Sequence, residues 1–291
     1  MKIRAEAGRH LFLNKLEAVL QSSGFNVSFH LDDPESEVIE LGHAGFHLRW
    51  MQDPVTDRGL SIRRNYIDPF WKIEKSGARW NWPIVQRSFD ASTIDVSRAS
   101  RFAASLRERV FPGRPESPKA EGYVLVPLQG RLLQHRSFQT CSPLQMLGTL
   151  LQYERKRDIV LTLHPGEHYT DWELEALKNA CEGHARVTVS NVDTKQLIQS
   201  CDYIVTQNSS VALWGFLLRK PAILFAMIDF HHVALQADES TLKSAIDLVG
   251  SHNPDYDRYL WWFFQEQSIN ANKTEAEDKI ARRLRNHGWP L

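Results

Sequence analysis

Between residues 123 and 226 the sequence repeats one pattern: a short, continuous apolar run, a stretch with helical spacing, then another apolar run. The runs are "YVLVPL", "DIVLTL", "RVTVS", "YIVTQ" and "PAILFA", separated by "SPLQMLGTLLQYERK", "DWELEALKNACEG", "TKQLIQSC" and "SVALWGFLLR". Strands that are apolar on both faces must be covered on both, and strands separated by helices run parallel. The pattern restricts this half to a Rossmann-like parallel sheet between helical layers. Helix starts agree: Ser142 stands before Pro143 at a first helical position, and Thr170 with Glu173 forms a T-x-x-E capping box. Neither G-x-G-x-x-G nor a Walker A sequence occurs, which disfavours a dinucleotide dehydrogenase or a P-loop enzyme.

The remainder is less regular. "HLFLNKLEAVLQSSG" reads as a helix closed by Gly24, "FNVSFHL" and "FHLRW" as strands, and 54 to 98 as aromatic-rich loops. The helix-like "ASRFAASLRERVF" precedes "PGRPESPKAEG", whose Pro, Gly and charge mark a domain boundary at 112 to 122. The expected organisation is an N-terminal α/β domain over 1–114, a Rossmann-like domain over 115–255, and C-terminal helices over 256–291. "DYDRYLWWFFQEQSIN" is apolar on nearly all sides and must be buried, whereas "TEAEDKIARRLRNHGW" has the spacing of an amphipathic helix. The four aromatics Trp261 to Phe264 are too few for a membrane span, and contact with a membrane surface or another subunit through them is a second reading.

Composition narrows the partners. A chain of 291 residues that is 42% hydrophobic can build one large core or two modest ones. Lys plus Arg and Asp plus Glu both total 35, so no overall field draws it to nucleic acid or anionic lipid. Three cysteines, Cys141, Cys181 and Cys201, make no disulfide framework and no C-x-x-C, which points to a reducing, cytoplasmic setting. The N-terminus lacks the apolar core of an export signal, and no window approaches the about 20 apolar residues of a membrane helix.

Candidate chemistry lies at the carboxyl ends of the expected strands. "TLHPGEHYTDWE" places His164, Glu167 and His168 as H-x-x-E-H, an ordering used by zinc peptidases. A zinc site of that type needs both histidines on one helix face, and Pro165, Gly166 and the cap at Thr170 put this spacing in a turn. No metal and no cofactor is expected, although a zinc hydrolase that recruits Asp229 or His231 stays open. His164 instead reads as a ligand-facing donor at a strand end, where ligands bind in open parallel sheets. Two strands later "TQNSSVALWGF" puts Asn208, Ser209 and Ser210 at a helix start, which serves either as a cap or as an anion site. Asp229 and His231 in "FAMIDFHHV" follow another strand and are assigned to the donor; adjacent histidines on extended backbone point apart, so His231 and His232 should not both face it. The Asp32-Asp33 pair reads as a charged turn between strands.

The order "VLVPLQ", "SPLQML", "HPGE", "NSSVAL", "RKPAILF" and "YDRYLWWFFQEQSINA" resembles the capsule polysaccharide synthesis and export family, which includes transferases of 3-deoxy-manno-octulosonic acid (Kdo) from a CMP-linked donor. The resemblance runs from about 122 to 271. It implies a GT-B-like α/β fold of two Rossmann-like halves facing a cleft, with an acceptor-side first domain, CMP held by the second, and the C-terminal helices crossing back to the first. It implies that His164 contacts the donor near its phosphate and sugar, that Ser209 and Ser210 bind the phosphate, and that Gln129 faces the cleft. The partners so implied are a nucleotide-sugar donor and a glycan acceptor, with peripheral association to membrane-bound capsule machinery and no nucleic acid. The sequence departs from the family in lacking an acidic residue in "QGRLLQHRSF", a lysine before His164, and an acidic residue in the "SSVAL" helix, where Trp214 and Gly215 stand.

Glycosyl transfer needs a carboxylate and a means of stabilising the departing phosphate. Asp68 in "NYIDPFW" is the first candidate carboxylate, flanked by aromatics that would stack on sugars and desolvate it; Glu167 is the second. Arg131 and Arg136, beside Gln129, are placed to meet an anionic donor or acceptor. A non-catalytic nucleotide- or glycan-binding protein of capsule assembly is the alternative, since it would keep the His164 and Ser209 edge without a working carboxylate.

Overall fold

The computed structural model describes residues 10–31, 34–42 and 44–291. Asp32 and Asp33 lie outside the described residues. Along the chain come α1 (Leu11–Ser22), α2 (Pro34–Gly42), β1 (His47–Trp50), β2 (Gly59–Arg64) and β3 (Phe70–Glu74), and then short 3-10 turns between Arg79 and Thr93. There follow α3 (Val96–Val110), β4 (Tyr123–Leu128), α4 (Pro143–Tyr153), β5 (Asp158–Leu163), α5 (Asp171–Cys181), β6 (Val187–Val189), α6 (Thr194–Ser200) and β7 (Tyr203–Thr206). The chain continues through α7 (Val211–Leu217), β8 (Ala222–Leu224), β9 (Leu235–Gln236), α8 (Leu242–Val249), α9 (Tyr256–Trp261), β10 (Ile269–Asn270) and α10 (Ala276–Asn286).

The chain divides into two compact units: the described residues of Met1–Ile84 with Trp262–Leu291, and Val85–Trp261. In the first, the sheet order is β1-β2-β3-β10. β1 and β2 are parallel, while β3 is antiparallel to both β2 and β10, so this sheet is mixed. Its apolar face, with Leu60, Ile62, Trp71, Ile73 and Ile269, packs on Phe12, Leu13, Leu16, Val19 and Leu20 of α1 and on Ala276, Ile280 and Leu284 of α10. Both helices present these residues at three- and four-residue intervals, which makes one stripe per helix. The segment "FNVSFHL" forms no strand; Phe25 packs on Phe46 and Trp289 as a covering layer instead. Conversely, the aromatic stretch expected as loops contains β2 and β3. All five residues of β3 are buried, Lys72 and Glu74 included, so polarity does not alternate with exposure there. Glu74 is kept by Arg283 and His287 at 3.9 Å each, and Lys72 lies 5.7 Å from the Trp82 ring centroid.

The second unit is built on a six-stranded parallel sheet in the order β6-β5-β4-β7-β8-β9. All five strands read from the apolar runs are present, and β9 with α8 adds to them. Strand order reverses at β4: β5 and β6 extend one way, and β7, β8 and β9 the other. Such a reversal leaves a crevice at the carboxyl ends of the two strands that diverge, here β4 and β7. Ser142 caps α4 in a box with Gln145, and Thr170 caps α5 in a box with Glu173.

The division between units falls at Ile84 and Val85 rather than in the Pro- and Gly-rich stretch 112 to 122. α3 therefore belongs with the parallel sheet. It packs on α7 and α9, and its buried Arg107 donates to the Leu217 carbonyl at 2.6 Å and pairs with Asp257 at 3.8 Å. Charge and helix propensity mark α3 as an element but carry no sign of which core it joins. Of the four aromatics, Trp262, Phe263 and Phe264 are buried, and Trp261 is half-buried against Phe102. Among the described residues, no helix is long and apolar enough to cross a membrane, and the three cysteines are free.

Candidate functional site

The carboxyl edge of the parallel sheet gathers three turns. The first follows β5: Pro165 and Gly166 form a turn, and helix α5 starts only at Asp171. His164 and His168 therefore do not share a helix face, and among the described residues no group of three or more His, Cys, Asp or Glu is placed to hold a metal. The His164 ring is oriented within the turn, since its Nδ1 accepts the Gly166 N–H at 3.1 Å. An imidazole that accepts at Nδ1 carries its proton on Nε2, so His164 has an N–H to donate from its exposed side. Its backbone N–H donates to the Tyr169 hydroxyl at 2.8 Å, and that hydroxyl reaches the Leu128 carbonyl at 3.4 Å, which ties the β5 turn to the end of β4. Burial pushes the Tyr169 hydroxyl pKa up, keeping its proton. Nothing in its spacing marked Tyr169 as part of the edge.

The second turn follows β7. Ser209 is 4% exposed, and its Oγ accepts the Val211 N–H at 3.3 Å, leaving its O–H as a donor. Ser210 is the N-terminal cap of α7 by position, but its hydroxyl makes no capping bond. The expected cap is thus made by Ser209, one residue earlier. Asn208 Oδ1 accepts from Gln139 Nε2 at 2.8 Å, which fixes the amide and leaves its two N–H groups without a partner among the described residues.

The third turn is the long loop after β4, which joins the other two. Gln129 opens it, with Oε1 a buried acceptor that meets no hydrogen-bond donor among the described residues. Glu167, on the β5 turn, lies against Gly130: a Cβ there would stand 3.0 Å from Glu167 Cδ and inside contact distance of Oε2. Arg136 pairs with Glu167 at 3.8 Å, and its backbone N–H donates to Gln139 Oε1 at 2.7 Å. Gln139 then reaches Asn208, and Thr140 N–H bonds the Phe225 carbonyl at 2.8 Å at the end of β8. Gln139, like Tyr169, was not singled out in the sequence; a neutral side chain in an irregular loop carries no signal of its own.

The remaining candidates are Asp229, His231, Asp68 and Arg131. Asp229 is fully buried and engaged inside the protein, so it offers no surface to a donor. His231 and His232 lie on a 3-10 turn, not on extended backbone, and their rings stack at 4.2 Å and 24° rather than pointing apart. His231 Nδ1 is held by the Ile228 carbonyl at 2.5 Å. Asp68 belongs to the first unit, where its side chain is 64% exposed and pairs with Arg64 at 3.2 Å; the aromatics around it do not desolvate it. Arg131 is exposed and takes positive φ, 64°, at the bend that follows Gly130.

The edge therefore presents hydrogen-bond donors: His164 Nε2–H, the Asn208 amide and the Ser209 hydroxyl have each spent an acceptor atom on the protein. Such a set matches an anionic or oxygen-rich ligand.

No protein-family model and no curated protein matches the chain. Among solved structures, it is similar to the beta Kdo 2,7 transferase KpsC of Thermosulfurimonas dismutans, with a TM-score of 0.52 and 13% identity over 93% of this chain and 95% of that one. The H548A form of the wall teichoic acid polymerase TagF gives 0.34 and 12% over 70% and 50%, and the UDP-GlcNAc 2-epimerase of Methanocaldococcus jannaschii gives 0.34 and 14% over 70% and 53%. At such identity the likeness is one of fold: the chain has the GT-B-like α/β fold, shared along nearly its whole length with a Kdo transferase.

Proposed function

We propose that this protein is a glycosyltransferase that takes a nucleotide-activated sugar, with a CMP-Kdo-like donor, and works without a metal in capsule or surface polysaccharide assembly in the cytoplasm. What supports the reading is that His164, Asn208 and Ser209, each with its acceptor spent on the protein, follow β5 and β7, the two strands that flank β4 where the strand order reverses. When the bond from the sugar's anomeric carbon to the phosphate oxygen breaks, that oxygen gains negative charge. Fixed N–H and O–H donors at an edge of this kind stabilise it without a cation. The fold likeness to a Kdo transferase supports a sugar substrate, and the sequence resemblance supports CMP as the carrier.

Glu167 and Asp68 are the carboxylates proposed for the acceptor step, in which the attacking hydroxyl loses a proton. Both are engaged by an arginine, and this favours the second reading, a non-catalytic nucleotide- or glycan-binding protein. Calorimetry with CMP and a transfer assay separate the two. CMP binding with sugar transfer is the expected result, and binding without turnover over a panel of CMP-, UDP- and CDP-linked donors selects the alternative. Replacing Ser209 and Ser210 with Ala should weaken CMP binding by about 1–3 kcal/mol, the value of hydrogen bonds to a charged group. A double variant that binds CMP as tightly as the parent removes the serines from the phosphate site.

A further inference from the structure

We propose that Arg136 is the anion-recognising residue of this edge, held on Glu167 until the phosphate of a nucleotide takes its place. The inference rests on the reading of the edge as a nucleotide-sugar site and adds to it the residue that senses the charge. Three observations carry it.

Arg136 is fixed at its base and loose at its tip. Its N–H is bonded to Gln139 Oε1, and Gln139 Nε2 is bonded to Asn208, so the residue is anchored one side chain away from the β7 turn. At the tip, the 3.8 Å separation from Glu167 lies beyond hydrogen-bond distance. The pair is electrostatic, and with side chains 24% and 33% exposed it is open to solvent and to competition.

Glu167 does not depend on Arg136 for its position. Its backbone N–H donates to the His164 carbonyl at 3.1 Å, and its carboxylate rests over the bare Cα of Gly130. Moving the guanidinium away leaves the carboxylate over Gly130 without that cation. The third observation is stoichiometric: the other donors of the edge, His164, Asn208 and Ser209, are neutral. A phosphate bound by them alone keeps its full charge, whereas a guanidinium fork meets two phosphate oxygens at once and neutralises one charge. The phosphodiester of a CMP-linked donor carries one negative charge, as the carboxylate does, and is held by the neutral donors of the edge as well; the phosphate of free CMP carries more charge and competes more strongly. Donor binding then has a consequence for reactivity, since the cation that masked Glu167 moves onto the leaving group.

The test is calorimetry with CMP and with cytidine on the parent, Arg136→Gln, Arg136→Lys and Glu167→Gln, each checked for native far-UV circular dichroism. The parent should bind CMP more tightly than cytidine. Arg136→Gln should lose about 10- to 100-fold in CMP affinity, the value of a charge-assisted pair, with cytidine affinity unchanged. Arg136→Lys should fall between them. Glu167→Gln, which removes the competitor, should bind CMP several-fold more tightly, a gain that a merely structural role for the pair would not produce. If Arg136→Gln binds CMP as the parent does, or loses CMP and cytidine affinity equally, the proposal is overturned while the edge remains a nucleotide site. If Glu167→Gln does not tighten CMP binding, the masking is refuted. If the parent binds CMP no better than cytidine, or binds neither, the edge recognises no phosphate and both readings fall.

Discussion

At the scale of single residues, the edge is made by side chains that are oriented before any ligand arrives. His164 has its tautomer set by Gly166 N–H, and Asn208 has its amide set by Gln139. Preorganised donors of this kind cost no reorganisation when charge develops on the ligand. The two carboxylates differ at the same scale. Glu167 stands on the edge itself, while Asp68 is an exposed partner of Arg64 in the other unit. In a transfer assay, Glu167→Gln should lower kcat by about 10²- to 10⁴-fold, the range for losing a general base, and Asp68→Asn should lower it by less than about tenfold. The opposite order would move the proton acceptor to the first unit. The strand-end placement of His164, Ser209 and Ser210 was legible in the sequence because polar residues directly after an apolar strand have one plausible place, its carboxyl end. Gln139 and Tyr169 were not, since their roles arise from a loop that folds back over three strands.

At the scale of elements, the parallel sheet is fixed on the side away from the candidate site by a buried network. Glu154, the C-terminal cap of α4, accepts the Tyr203 hydroxyl of β7 at 2.6 Å, the Lys156 and Arg157 N–H groups at 2.7 and 3.0 Å, and the Arg157 guanidinium at 3.2 Å. Burial opposes its ionisation, yet these donors and the Arg157 charge together hold its pKa below the usual value. A carboxyl whose pKa is depressed on folding contributes stability above its unfolded pKa, and that contribution is lost as pH falls through the folded value. Glu154→Gln should therefore destabilise the protein near neutral pH by about 1–3 kcal/mol and flatten the fall in denaturant midpoint on acidification below about pH 4.5. Parallel acid profiles for variant and parent would remove this group from the acid response. The Thr170–Glu173 capping box was readable as sequence because its partners are three residues apart, and the box that Ser142 makes with Gln145 has the same spacing. Glu154 was not, because Tyr203 lies 49 residues away and only the sheet brings it close.

At the scale of the whole molecule, the first unit is completed by the end of the chain. β10 extends the sheet beside β3, and Ile269, Ala271, Ala276, Ile280, Leu284 and Trp289 form part of its core. Full burial of Ile280 and Leu284 alone contributes about 1.5–3 kcal/mol each, a large share of the about 5–15 kcal/mol that holds a typical domain. A chain ending at Trp261 should lose the first unit to proteolysis while Val85–Trp261 persists as a resistant fragment; equal survival of both would show that the tail is dispensable. Burial of the tail was foreseeable from "LWWFF" and the apolar stripe of α10, and its return to the first half was an expectation from the family resemblance. Sequence by itself determined the parallel sheet, because runs apolar on both faces alternating with capped helices admit no other layer arrangement. It also determined which strand ends bear polar residues. Only the tertiary structure decided the strand order, the allegiance of α3, the exposure of Asp68 and the pairing of Arg136 with Glu167. Each of those depends on which distant segments meet, and contacts between distant segments leave no local period in a sequence to be read.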